Sequence, residues 1–162
     1  MILYAFDPAT VTGWAIFDDS SLVACGVERL GPKGETVGTR IVRLGEMWCQ
    51  LAGLPWPMPR HVAYERAFGA RGHGILLQHA LIGEINRLAA IHRCGVHPIS
   101  ATTAKKALTG HGGADKHAML AAARAQYPNH IIKDHNAADA IAVGLAAIRR
   151  IDTALIEERN DP

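Results

Sequence analysis

The chain has no apolar run long enough to span a membrane, and its N-terminus lacks the basic region, apolar core and cleavage site of a secretory leader. The expectation is a cytoplasmic protein with no membrane partner. Cysteine is scarce: Cys25, Cys49 and Cys94 stand far apart, and no C-x-x-C pair occurs. That pattern excludes a disulfide framework and a cysteine zinc site, and reduced, buried thiols are expected. Histidine is plentiful at nine, yet no H-x-x-x-H pair sets two imidazoles on one helical face for zinc. There is no low-complexity tract and no repeat at solenoid spacing. The formal charge is only +2, so net charge announces no polyanionic partner.

What is present is the composition of a globular domain, 49% hydrophobic and 20% charged over 162 residues. One domain over 1–150 is expected, with 151–162 forming a helix end and a frayed tail. Residues 2–7, 12–17 and 22–28 read as three strands joined by tight turns. From Thr36 to Leu51, Val37, Ile41, Leu44, Trp48 and Leu51 recur at helical steps, and the proline-rich stretch after Leu54 cannot continue that helix. His61–Glu65 reads as a strand, followed by a Gly-rich loop over 69–74 and an apolar-rich helix from about Ile75 to Arg93. Its apolar surplus suits either burial on two sides or contact with a second subunit. Gly95–Ile99 is a fifth strand, and Ser100 is placed to cap the next helix. Helices from Ala114 to about Tyr127, and from near His135 to Arg150 or beyond, complete the chain. Three hairpin-linked strands followed by alternating units predict an α/β domain, a mixed five-stranded sheet with helices on both faces.

The charges are more telling by position than by sum. Asp7 ends a buried strand, where a carboxylate is costly unless water, hydrogen bonds or a cation compensates it. It either caps its own turn or belongs to a site. Glu65 ends another strand, and Asp139 lies near the start of the last helix among small residues that let the helix approach the sheet. Three carboxylates from distant parts of the chain repel one another in a small volume. Two Mg²⁺ ions, with Mn²⁺ as a substitute, would remove that cost, because hard cations take oxygen ligands. Such ions about 4 Å apart clamp the attacking water and leaving oxygen of a phosphodiester. Lys105, Lys106, Lys116, Arg124 and Lys133 crowd one segment, either as a solvated face or as a polyanion-binding one.

Four stretches in order, F-D-P-A-T-V-T-G-W-A, A-Y-E-R-A-F, T-A-K-K-A-L-T-G-H-G-G-A-D-K and D-H-N-A-A-D-A, resemble the RuvC-type Holliday junction resolvases, RNase H-like nucleases of bacteria and phages. The resemblance runs from residue 2 to about 148. It implies an RNase H-like fold and a homodimer that cuts four-way DNA junctions symmetrically. The products would carry 5′-phosphates, and no organic cofactor would take part. It makes Asp7 the carboxylate bridging both metals, Glu65 the second-strand carboxylate and Asp139 the helix carboxylate. The family usually carries a fourth acidic or His residue three or four positions before that Asp. Here Asn136 and His135 hold those places, and Asp134 stands five back. Residues three or four apart share a helix face, so His135 and Asn136 can both look toward the metals, and Asp134 reads as an N-cap. His135 is taken as a weak ligand or the base that orients water. Asn136 is the other candidate metal ligand.

The resemblance also sets Lys105 and Lys116 near the scissile phosphate as point charges. Lys106 competes with Lys105 for that place, since only one of the two can face the site; it is otherwise a DNA contact. Phe68 lies where the resemblance implies an aromatic that stacks on unpaired bases, the alternative being a satellite of the core. Arg71 and His73 on the same loop are candidate phosphate contacts. Two rival readings keep this scaffold: a related nuclease on other branched or RNA-containing substrates, and a junction-binding protein without activity. A third, an actin-like ATPase, needs two such domains, and this chain is too short.

Overall fold

A computed structural model describes residues 1–55, 57–67 and 73–160, excepting the side chains of 73 and 158–160. Five strands form one sheet: β1 (Ile2–Asp7), β2 (Val11–Asp18), β3 (Ser21–Arg29), β4 (His61–Glu65) and β5 (Gly95–Ile99). The spatial order is β3-β2-β1-β4-β5. β1, β2 and β3 pair antiparallel, while β1, β4 and β5 pair parallel. The helices are α1 (Val37–Ala52), α2 (His73–Ile91), α3 (Ala101–Thr109), α4 (Lys116–Gln126) and α5 (His135–Asn160).

Alternation along β1 decides which helix covers which face. Ile2, Tyr4 and Phe6 pack with α1 and α2, including Trp48, Leu81 and Ile85. Leu3 and Ala5 turn the other way, into a core built from α3, α4 and α5. The mixed sheet covered on both faces is the architecture expected from the order of elements. Among the described residues no helix is long and apolar enough to cross a membrane.

Helix α5 lies directly on the sheet because its inner face is small: Ala137, Ala138, Ala140 and Ala147 are all fully buried. Gly144 carries this furthest. A Cβ there would overlap the ring of Phe17 on β2. Gly144→Ala is therefore expected to lower stability by about 1–3 kcal/mol through overpacking. Thermal unfolding checks this, and an unchanged melting temperature would contradict the close contact.

The ends of several elements differ from expectation. Helix α4 starts at Lys116 rather than Ala114, because the Asp115 carboxylate accepts from the Ala118 amide and caps it. Helix α5 continues beyond Arg150, to Asn160. Cys49 is exposed and Cys25 and Cys94 are only partly buried, so the expectation of three buried thiols fails. The cause at Cys49 is helical phase, since Trp48 and Leu51 take the inward positions of α1. In α2 most of the apolar surplus is core. Leu77, Leu81, Ile85 and Leu88 are buried, while Leu76 and Ile91 remain 65% and 59% exposed.

Candidate active site

The parallel half of the sheet sets the first two carboxylates side by side. Phe6 pairs with Tyr64, so Asp7 and Glu65, each one residue further on, end their strands at one level. Adjacent strands lie about 4.8 Å apart, and alternation turns both residues toward α5. Carboxyl ends of parallel strands are where α/β sheets place their sites. Asp7 does not cap its turn. Thr12, fully buried, does that work: its hydroxyl donates to the Ala9 carbonyl at 2.7 Å and accepts from the Ala9 amide at 3.3 Å. Among the described residues no hydrogen bond engages the Asp7 carboxylate.

The third carboxylate arrives with α5, through a close approach at Gly13. This residue pairs directly with Asp7 across the hairpin. Any Cβ at Gly13 would fall inside the Asn136 backbone carbonyl. The first turn of α5 thus rests on the strand beside Asp7. Asp134 caps that turn, accepting from the amides of Asn136 at 2.9 Å and Ala137 at 3.2 Å. The Asn136 side chain also turns back toward Asp134, at 3.5 Å.

The three acids sense one another. Burial first, then Glu65 and Asp139, push Asp7 up to about 8, opposed only in part by Lys116. Burial and Asp139 raise Glu65, against a pull from Lys105. Burial raises Asp139 as well, and His135, Lys105 and Lys116 counter it. Two lysines are therefore near enough for their charge to act on the acids, Lys105 from α3 and Lys116 from the start of α4. The Lys116 ammonium lies 3.3 Å from Nε2 of His135, so His135 points into the same neighbourhood.

Lys106 does not share it. It lines a separate groove between α3 and α5. Phe68 and Arg71 lie outside the described residues, as does the side chain of His73. Two features were missed from sequence: buried Thr12, which frees Asp7 from its turn, and Gly13, which admits α5. The spacing of Thr12 and Gly13 after Asp7 was a visible signal, but its cause was not.

The donor set suits a hard divalent cation: three carboxylates, mutually repelling, with no described hydrogen bond to quiet Asp7. Among the described residues no three His, Cys, Asp or Glu side chains are grouped tightly enough to hold a metal ion as they stand. The fit is one of donor chemistry and electrostatics, and the coordination geometry is unfinished.

A mixed sheet of this order, with α5 against β1, β2 and β4, is an RNase H-like α/β fold. No protein-family model matches the sequence, and no curated protein matches it either. Solved structures do match. The chain superposes on Thermus thermophilus RuvC with TM-score 0.75 and 22% identity, covering 94% of this chain and 98% of that one. T. thermophilus RuvC in complex with a Holliday junction substrate matches with TM-score 0.75 and 21% identity, over 94% and 96% of the two chains. The yeast mitochondrial Holliday junction resolvase Ydc2 matches with TM-score 0.62 and 11% identity, over 91% of this chain and 77% of that one.

Proposed function

We propose that this protein is a Holliday junction resolvase, a divalent-metal-dependent endonuclease that hydrolyses phosphodiester bonds in four-way DNA junctions. The observation that carries the reading is the placement of Asp7 and Glu65 at the carboxyl ends of neighbouring parallel strands, with the first turns of α5, which carry Asp139, resting on the strand beside Asp7. It occurs in a fold shared with RuvC, and one of the matching structures holds a Holliday junction.

In this reading Asp7, Glu65 and Asp139 hold two Mg²⁺ ions, with His135 or Asn136 completing the set. When bound, the ions supply an activated water and stabilise the departing 3′ oxygen. The protein's own part is to hold Asp7 and Glu65 on strands and Asp139 on a helix packed against them, so that their geometry costs little to reach. Lys105 and Lys116 face the same space and set positive charge against the extra negative charge that develops on phosphorus. Lys116 also approaches His135, which orients the imidazole beside Asp139.

Lys105→Ala and Lys116→Ala are each expected to slow cutting at saturating DNA by about 10- to 100-fold, with little change in melting temperature. Single-turnover kinetics measure this. A full rate in both variants would remove the lysines from the chemistry.

Symmetric cutting needs two matched sites, so a two-fold homodimer belongs to the proposal. Leu76 and Ile91, the large apolar side chains that α2 leaves exposed, are where such an interface could begin. The deciding experiment offers immobile four-way junctions, flaps and RNA–DNA hybrids with Mg²⁺ or Mn²⁺. Paired cuts confined to the four-way junction support the reading. Preference for a hybrid favours the related nuclease, and tight junction binding without cutting favours the inactive binding protein.

A further inference from the structure

The structure carries a second concentration of positive charge that the catalytic neighbourhood does not use. Between α3 and α5, beyond the edge strand β5, lies a groove of about 480 Å³. Arg66, Lys106, Arg149 and Arg150 border it, with the hydroxyls of Thr103 and Thr153, and no carboxylate does. Three distant segments supply the four cations, so the cluster is a product of the fold and not of a basic run. Among the described residues none of the four has an ion-pair partner. The Arg149 guanidinium donates to the Ala107 carbonyl at 2.8 Å, which fixes one wall of the groove in place.

Position joins the groove to the acids. Arg66 directly follows Glu65, and its amide donates to the Ile99 carbonyl at 2.8 Å, tying the ends of β4 and β5 together. A smaller cavity of about 170 Å³, bordered by Arg66, Ala67, Ser100 and Ala101, adjoins the same arginine. Helix α3 divides the two regions: Lys105 faces the acids, and Lys106 faces the groove. An extended polyanion leaving the acids past Arg66 would meet cations along its path.

We propose that the groove between α3 and α5 holds the phosphate backbone of the DNA that flanks the scissile position, a use that rests on the nuclease reading above. The groove is suited to phosphate rather than base recognition. It offers guanidinium forks, an ammonium and hydroxyls, which match phosphate oxygens and carry no base code. It therefore contributes affinity and orientation, independent of sequence.

The test compares the wild type with two triple variants, binding a labelled four-way junction and a linear duplex in chelator across a salt series. One combines Arg66→Gln, Lys106→Gln and Arg150→Gln; the other combines Arg66→Lys, Lys106→Arg and Arg150→Lys and keeps the charge. The neutral triple is expected to bind about tenfold or more weakly, with the salt slope reduced by about two to three. The charge-keeping triple is expected to bind as the wild type does. A neutral triple with wild-type affinity and slope would overturn the groove's role while leaving the nuclease reading standing. A neutral triple that loses only the binding of an acidic polypeptide such as polyglutamate would overturn it too, in favour of a protein partner. Failure of the wild type to bind either DNA would instead sink the nuclease reading itself.

Discussion

Asp7→Asn is expected to reduce Mg²⁺-dependent junction cutting by about 10³-fold or more, equivalent to ~4 kcal/mol of transition-state stabilisation, and to leave junction binding intact. Glu65→Gln should behave alike. The reasoning is geometric before it is chemical. Asp7 and Glu65 end neighbouring parallel strands at one level, so neither carboxylate can be replaced by a side chain on another element. Both substitutions are nearly isosteric and neutral, so each removes a charge that the proposed mechanism assigns to metal binding without emptying space. Cutting assays and anisotropy on the same junction separate the two effects. Retained turnover in both variants would remove the metal site from this place in the fold.

The second large effect is a pH-dependent stability that the acids impose on the metal-free protein. Folding raises Asp7 to about 8, chiefly through burial and then through Glu65 and Asp139. An acid raised on folding holds its proton longer in the folded chain than in the unfolded one. The folded state then binds more protons across the window from the ordinary carboxylate range up to about 8. Stability in chelator is therefore greatest on the acid side of that window and falls as pH rises through it. Between pH 6 and 8 the loss should reach about 2 kcal/mol, or roughly 5 °C in melting temperature. Asp7→Asn should flatten this decline, and millimolar Mg²⁺ should flatten it in the wild type by favouring the charged form. Melting curves across pH, with and without Mg²⁺, measure it. A wild type and an Asp7→Asn variant declining in parallel would mean that Asp7 ionises freely in the fold.

Much of the architecture could be read from local pattern because period two and period 3.6 are imposed by burial itself. Ile2, Tyr4 and Phe6 separate from Leu3 and Ala5 in the sequence as they do in space. The small residues around Asp139 foretold a helix lying close on the sheet, and Asp134 caps that helix as its spacing suggested. The choice of Lys105 over Lys106 came from the family resemblance and not from local pattern. It depends on the phase of α3 relative to a sheet edge, which neighbouring residues do not encode. The groove of Arg66, Lys106, Arg149 and Arg150 was hidden for a related reason, since its members meet only through tertiary packing. The exposure of Cys49 has the same origin in helical phase. The roles given to Phe68 and Arg71 concern residues outside those described.

Gly13 explains why a glycine stands six residues after Asp7, which sequence spacing alone could not. The strand has to accept a helix backbone at the level of the first carboxylate, and any side chain would hold that helix off. The motif is therefore a record of contact between the beginning and the end of the chain.

That contact has a consequence for synthesis. Asp7 and Glu65 leave the ribosome early, whereas Asp139 belongs to the last element in chain order. From Glu65 until Asp139 is made, a nascent polypeptide holds only two of the three acids, and it cannot assemble the trio until translation has passed α5's first turns. Under the proposed reading, the order of synthesis alone keeps unfinished copies inactive.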